Sequence, residues 1–190
     1  MKKLFLLAVA FVLLAGCVQT GVQPSATPSP AMRKVALNDT VRIDYTAKRA
    51  SDGFVFESTI REVALKAGLR EREVYEPLKF TVGAGKVIPV GLEGAVLGMS
   101  QGEFKIATVP AAEGFGVHND SLVFVANKSD LVYGGESLHA GQWLLEQFGG
   151  ANCMVLNVSN STFTADCNHP LAGEALEFEI TLVEIANASR

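Results

Sequence analysis

The side chains that could do chemistry in this chain are few, and their spacing limits what the chemistry can be. Cys153 and Cys167 flank two stretches of strand character, Met154–Val158 and Thr162–Ala165, with Ser159-Asn160-Ser161 between them. Antiparallel pairing about Asn160 sets the two cysteines directly opposite each other, where Cβ atoms lie ~4.5–5.5 Å apart, near disulfide reach. The other reading is a pair of small buried thiols. Six of the eight asparagines, Asn38, Asn119, Asn127, Asn157, Asn160 and Asn187, stand in Asn-x-Ser/Thr. With 21 Ser and Thr in 190 residues, chance supplies about one such triplet, so these are candidate N-glycosylation acceptors. The competing explanation is that Asn, Ser and Thr all favour turns. His118, His139 and His169 are scattered, so neither a metal nor a cofactor is expected.

A third cysteine carries a different chemistry. Lys2 and Lys3 precede an unbroken apolar run, Leu4 to Leu14, the layout of an export signal. The run is shorter than the ~20 residues of a membrane-spanning helix. It ends in Leu14-Ala15-Gly16-Cys17, which resembles a bacterial or archaeal lipobox. Residues 1–16 would be a signal peptide, and the Cys17 thiol the nucleophile that takes a lipid. The alternative is an ordinary leader with Cys17 near its cleavage site by chance. One acyl chain anchors weakly, so a diacyl or diether anchor is expected. Residues 17–34 are rich in Pro, Ser and Thr and read as a tether. The expected place is the outer side of a cell membrane, where a disulfide would persist.

Composition narrows the partners. The chain is 48% hydrophobic and 19% charged, which sustains a core. The net charge of −4 becomes −6 once Lys2 and Lys3 are removed. No basic cluster follows residue 3, which argues against nucleic acid.

The elements that must position these residues are mostly short strands. Val41 to Ala47 alternates, with Val41, Ile43 and Tyr45 on one face. Ser51-Asp52-Gly53 is a turn before a strand at Phe54-Val55-Phe56. Thr59 to Glu62 has capping-box spacing and would open a helix from Arg61 to Ala67. A strand is expected at Leu78–Val82, and a helix at Gly91–Met99 with Leu92, Ala95, Val96 and Met99 on one face. Further strands are expected at Phe104–Val109 and Leu176–Ile185. In the last, Leu176, Phe178, Ile180 and Leu182 share a face, with Glu184 next in the alternation. The class is α+β, an antiparallel sheet curled over a short helix.

Asp44-Tyr45-Thr46, Asp52-Gly53-Phe54-Val55-Phe56-Glu57, Pro77 to Gly83, Val87-Ile88-Pro89, Gly91-Leu92-Glu93-Gly94-Ala95, Gly98-Met99 and Gly114-Phe115-Gly116 occur in the order of FKBP-type prolyl isomerases. Asn168-His169-Pro170-Leu171-Ala172-Gly173 resembles the signature of the SlyD-like branch, and the long Thr59–Glu76 stretch resembles its archaeal form. The resemblance covers about residues 35 to 186. It implies an isomerase domain in two parts, 35–116 and 168–186, followed by a tail at 187–190. A small, mainly-β insert-in-flap chaperone domain would occupy 117–167. Leu122–Val125, the Trp143–Leu145 region and the cysteine hairpin would supply the apolar residues of that insert.

The reaction so implied needs no nucleophile, metal or acid. Rotation about X–Pro crosses a barrier of ~18–20 kcal/mol set by amide resonance. A dry apolar pocket favours the twisted, less polar amide, and hydrogen bonds hold the neighbouring carbonyls. By the resemblance, Tyr45 is a wall with a hydroxyl donor and Phe56 faces the proline ring. Glu57 stands where Asp is usual, and Leu78 replaces an aromatic wall. Val87 and Ile88 form a rim with a gripping N–H, and Leu92 is the floor. Phe115 stands where Tyr is common, so it lacks that hydroxyl, and Leu171 and Phe178 close the far side. One residue, Val90, is added between Ile88-Pro89 and Gly91. The partners implied are unfolded or proline-containing polypeptides, and the membrane through the anchor. The activity implied is prolyl isomerisation with chaperone action on exported proteins. A second reading, motivated by Glu57, Val90 and Phe115, is a weakly catalytic holdase or surface adhesion module.

Overall fold

In the computed structural model, which describes residues 33–87, 89–131, 137–148 and 150–186, the alternating segment around Tyr45 becomes β1 (Thr40–Arg49). The leader, Cys17, nearly all of the tether, Ile88 and Asn187 lie outside the described residues. Along one edge, β1 pairs over its whole length with β9 (Leu176–Ala186). Its other edge is shared: β3 (Leu78–Thr81) takes Thr40 to Ile43, and β2 (Val55–Ser58) takes Thr46 to Lys48. The far edge of β9 carries β4 (Phe104–Val109). All these pairings are antiparallel.

Thr59 fills the gap between β2 and β3. Its N–H donates to the Tyr45 carbonyl at 3.0 Å. Its hydroxyl accepts from the Tyr45 N–H and donates to Asp44, both at 2.9 Å. The expected capping box therefore does not form. The helix α1 (Arg61–Lys66) has Ile60 at its N-cap, with no side-chain cap.

The inner face of the first sheet is the alternation made solid. Val41, Ile43, Ala47, Leu176, Phe178, Ile180 and Leu182 are at most 1% exposed. Burial of the Val, Ile, Leu and Phe side chains among them contributes ~1.5–3 kcal/mol each. Arg42 pairs with Glu184 but Ile43 pairs with Leu182, leaving Val183 as a bulge. One extra residue reverses the alternation beyond it. Ile185 turns to the core and Glu184 to solvent, which corrects the expected face. The helix α2 (Gly91–Ala95) is shorter than expected and continues as a turn to Gly98. Its apolar face survives, with Leu92, Val96 and Met99 buried. Gly91 permits this packing, since a Cβ there would meet Val109 Cγ1 at 2.4 Å.

Between β4 and β9 the chain builds a second sheet from β5 (Val123–Asn127), β6 (Trp143–Phe148), β7 (Ala151–Val158) and β8 (Thr162–Asp166). The order is β5-β8-β7-β6, antiparallel throughout. It has its own core, made of Leu138, Leu144, Cys153, Val155, Phe163 and Ala165. Cys153 and Cys167 form a disulfide, with Cα atoms 4.0 Å apart. Val155 pairs with Ala165, the register of a hairpin centred on Asn160, but Asn157 pairs with Thr164, one residue out of step. Leu156 absorbs the difference. Leu122, Val125, Trp143 and Leu145 do not join this core: they are 41%, 68%, 41% and 63% exposed. Alternation along β6 sends Leu144 inward and its two neighbours outward.

Candidate active site

Tyr45, Phe56, Leu78, Val87, Leu92, Phe115, Leu171 and Phe178 all belong to one apolar cluster on the first sheet. Leu92, Leu171 and Phe178 are buried in it, and the other five are half-buried at its margin. Tyr45 opposes Ile180 while Ala47 opposes Phe178. Tyr45 and Phe178 are thus diagonal neighbours on one face, with ring centroids 6.0 Å apart. Phe56 sits at an irregularity of β2: Val55 pairs with Lys48 and Glu57 with Ala47, leaving Phe56 unpaired. Such a bulge re-aims a side chain. Phe56 meets Phe115 edge-on at 5.9 Å.

Glu57 borders this cluster, close enough for its charge to act on Tyr45, but is engaged elsewhere. Its carboxylate lies 3.0 Å from Arg72 Nη1. Arg72 also donates to the Ser58 carbonyl and lies over the Tyr75 ring at 4.7 Å. Arg72 was not singled out from the sequence; an arginine within Arg70-Glu71-Arg72-Glu73 gives no local sign of where it will land. Burial pushes the Tyr45 pKa up to about 12; the Glu57 charge adds to this and the Arg72 charge opposes it. The Tyr45 hydroxyl therefore keeps its proton and can donate.

Glu93 is the larger omission. It is 4% exposed. One carboxylate oxygen accepts the N–H groups of Gly83 and Gly85 at 2.8 and 3.1 Å; the other accepts those of Lys86 and Val87 at 2.9 and 3.0 Å. Burial opposes its ionisation, but these bonds prevail and hold the carboxyl below its ordinary range. Gly83 and Gly85, at φ 84° and 64°, let the loop wrap around it. An acidic residue beside Leu92 in a short helix was the only available signal. The consequence reaches the rim: the Val87 N–H is already taken and cannot grip a substrate. Val90 takes up the added residue by pointing out, 56% exposed, while Pro89 is buried.

The chain leaves for the second sheet and returns from it side by side. Gly173 N–H donates to the Gly116 carbonyl at 2.8 Å. The buried Asn168 accepts from Asn119 N–H at 2.9 Å and donates to the Asn119 carbonyl at 3.1 Å and to Asp166 at 2.7 Å. His118 lies between Asp120 and Asp166, 3.2 and 3.4 Å away. The His169 ring stacks on Phe115, centroids 3.9 Å apart. Beyond it, Trp143, Leu145, Ala151 and Pro170 line a surface groove that His169 also borders. Among the described residues, no group of three or more His, Cys, Asp or Glu could hold a metal ion.

Residues 32–136 match the model of the FKBP-type peptidyl-prolyl cis-trans isomerases. The short-type peptidyl-prolyl cis-trans isomerase of Methanocaldococcus jannaschii is 35% identical over 152 residues, covering 79% of this chain and 93% of that protein. The FKBP-type isomerase SlyD of Helicobacter pylori is 28% identical over 138 residues, 71% of this chain and 73% of its own. The FKBP-type 16 kDa isomerase of Escherichia coli is 26% identical over 153 residues, 80% and 93% of the two chains.

Proposed function

The chain belongs to the FKBP-type peptidyl-prolyl cis-trans isomerases, and from that premise we propose that it assists the folding of exported polypeptides at the outer face of a cell membrane, with its second sheet as an insert-in-flap client-binding module. The enzyme class acts on X–Pro bonds in polypeptide clients. The observation that carries the site assignment is the convergence of Tyr45, Phe56, Phe115 and Phe178 with Leu78, Val87, Leu92 and Leu171 in one apolar cluster. Ile88 belongs to the same proposed site through its place after Val87 in the chain. Such a surface replaces water around the rotating amide and favours its twisted form.

Export rests on the Lys2–Leu14 leader and on Cys17 as the lipidated residue. Two structural facts support it. The Cys153–Cys167 disulfide suits an oxidising compartment. Asn38, Asn119, Asn127, Asn157 and Asn160 are all exposed. Three of them gather at the β7–β8 tip: Asn127 pairs with Thr162, Asn157 with Thr164, and Asn160 lies in the turn. Glycans on those residues would cover the end of the second sheet farthest from the returning chain. Asn187 is the remaining candidate. Mass spectrometry of the mature protein tests both claims, and an unmodified Cys17 or unmodified asparagines would remove the corresponding part.

A proline-peptide isomerisation assay tests the catalytic role. The second reading is a holdase or adhesion module on the same scaffold. It is favoured by the engagement of Glu57 with Arg72 and by the exposed Trp143 and Leu145. A chain that leaves the uncatalysed rate unchanged while suppressing aggregation of an unfolded client would establish a holdase. Inactivity in both tests would leave adhesion.

A further inference from the structure

We infer that His169 grips the substrate, donating its Nε2 N–H to a peptide carbonyl at the mouth of the aromatic cluster. The inference rests on the isomerase reading and adds a residue to it.

The position comes first. The imidazole lies flat on Phe115, planes 8° apart, and Phe115 meets Phe56. The ring is therefore a continuation of the apolar cluster toward solvent. Phe115 itself brings no polar atom. Peptide carbonyls beside the rotating amide must be held while the amide turns, and that needs a donor next to the aromatic wall.

The proton position follows from the other side of the ring. Nδ1 lies 3.2 Å from the Leu171 backbone nitrogen and accepts its N–H. A nitrogen that accepts carries no proton, so the single proton of the neutral ring sits on Nε2. Desolvation lowers the His169 pKa from its ordinary value, which keeps the ring neutral. Among the described residues Nε2 has no hydrogen-bond partner, although the side chain is exposed. A histidine serving packing alone has no need of a fixed tautomer with its donor turned out. The orientation is also held from behind. Asn168, the preceding residue, is buried and bonded to Asn119 and Asp166. Pro170 follows. The donor is thus set before a peptide arrives, which is the condition for an efficient grip.

Three variants of the full chain test this on a short proline peptide, with kcat/KM and Kd measured in parallel. H169F keeps a flat ring on Phe115 and removes the N–H. It should lower kcat/KM and weaken Kd about 5- to 10-fold, the effect of one hydrogen bond, with an unchanged melting temperature. H169Q restores an N–H donor without the ring and should stay within about 2-fold. F115Y in the H169F background returns a hydroxyl to the same rim and should recover most of the loss. Wild-type values in H169F overturn the inference, and so does a loss in H169Q as large as in H169F. Because Kd is read separately, a chain that binds without accelerating isomerisation still tests the grip. That result would fail the catalytic reading alone. Should H169F not fold, the Nε2 proton resonance of the wild-type chain decides. A shift on adding peptide supports the grip, and an unmoved resonance overturns it.

Discussion

The carboxylate of Glu93 in α2 holds the backbone N–H of Val87 in the preceding loop at 3.0 Å. The same carboxylate binds Gly83, Gly85 and Lys86, so one side chain shapes the whole loop leading to Val87. Glu93→Ala should cost about 2–3 kcal/mol, because four part-buried N–H groups lose a charged acceptor. Glu93→Gln should cost somewhat less but still lower kcat/KM, since its amide has one acceptor oxygen instead of two. Denaturant unfolding and peptide isomerisation check both.

Glu93 also sets a pH dependence. Its carboxyl is held below the ordinary value of 4.5 in the fold. The stabilisation is therefore complete above 4.5 and is lost as pH falls through the lower folded value. Glu93→Gln should unfold less steeply with acid than the wild-type chain, measured by circular dichroism across that range.

Tyr45 gives the opposite sign at the alkaline end. Its folded pKa of about 12 exceeds its ordinary 10.0. The contribution is intact below 10 and disappears as pH rises toward 12, because the unfolded chain releases the proton first. Two substitutions should move this titration in opposite directions. Glu57→Gln removes a charge that raises the Tyr45 pKa, and Arg72→Ala removes one that lowers it. Ultraviolet difference titration should show a lower value in the first and a higher one in the second. As a surface pair, Glu57–Arg72 should itself contribute only about 0–1 kcal/mol.

Replacing Cys153 and Cys167 by Ser should destabilise the second sheet by about 2–4 kcal/mol. The first sheet has a separate core and should stay folded. Hydrogen exchange should lose protection across residues 123–166 and keep it in β1 and β9. Loss of protection in both sheets together would contradict separate cores.

Two-residue periodicity carried the strands well wherever one face is buried. Phe104–Val109 is β4 with those bounds, and the buried face of β9 holds Leu176, Phe178, Ile180 and Leu182. Alternation counts residues, so it fails wherever one is added. Val183 and Leu156 are such places, and neither residue type marks itself as a bulge. Side chains used at long range were also hidden. Thr59 has the spacing of a cap, but β1 claims its hydroxyl from 14 residues away. Glu93, Arg72 and His169 owe their roles to partners brought in by the fold. The apolar cluster was legible only through the resemblance to the isomerase family, since Val87, Phe115 and Leu171 lie in turns and bends where no periodicity marks them. Trp143 does lie in the second sheet, but aromatic bulk alone does not say which side of a strand faces the core, and here Leu144 faces in and Trp143 out.

The central position of β9 has a consequence for how the molecule comes into being. β1 and β4 share only β9 as a neighbour, yet the whole second sheet precedes β9 in the chain. As the polypeptide emerges, β4 waits with an open edge while residues 123–166, contiguous in the chain, can already close on their own core. The inner unit is thus the first that can close. The apolar cluster proposed as the isomerase site includes Leu171 and Phe178 and is complete only once β9 has docked. During that interval the nascent chain presents an unfinished sheet edge of its own.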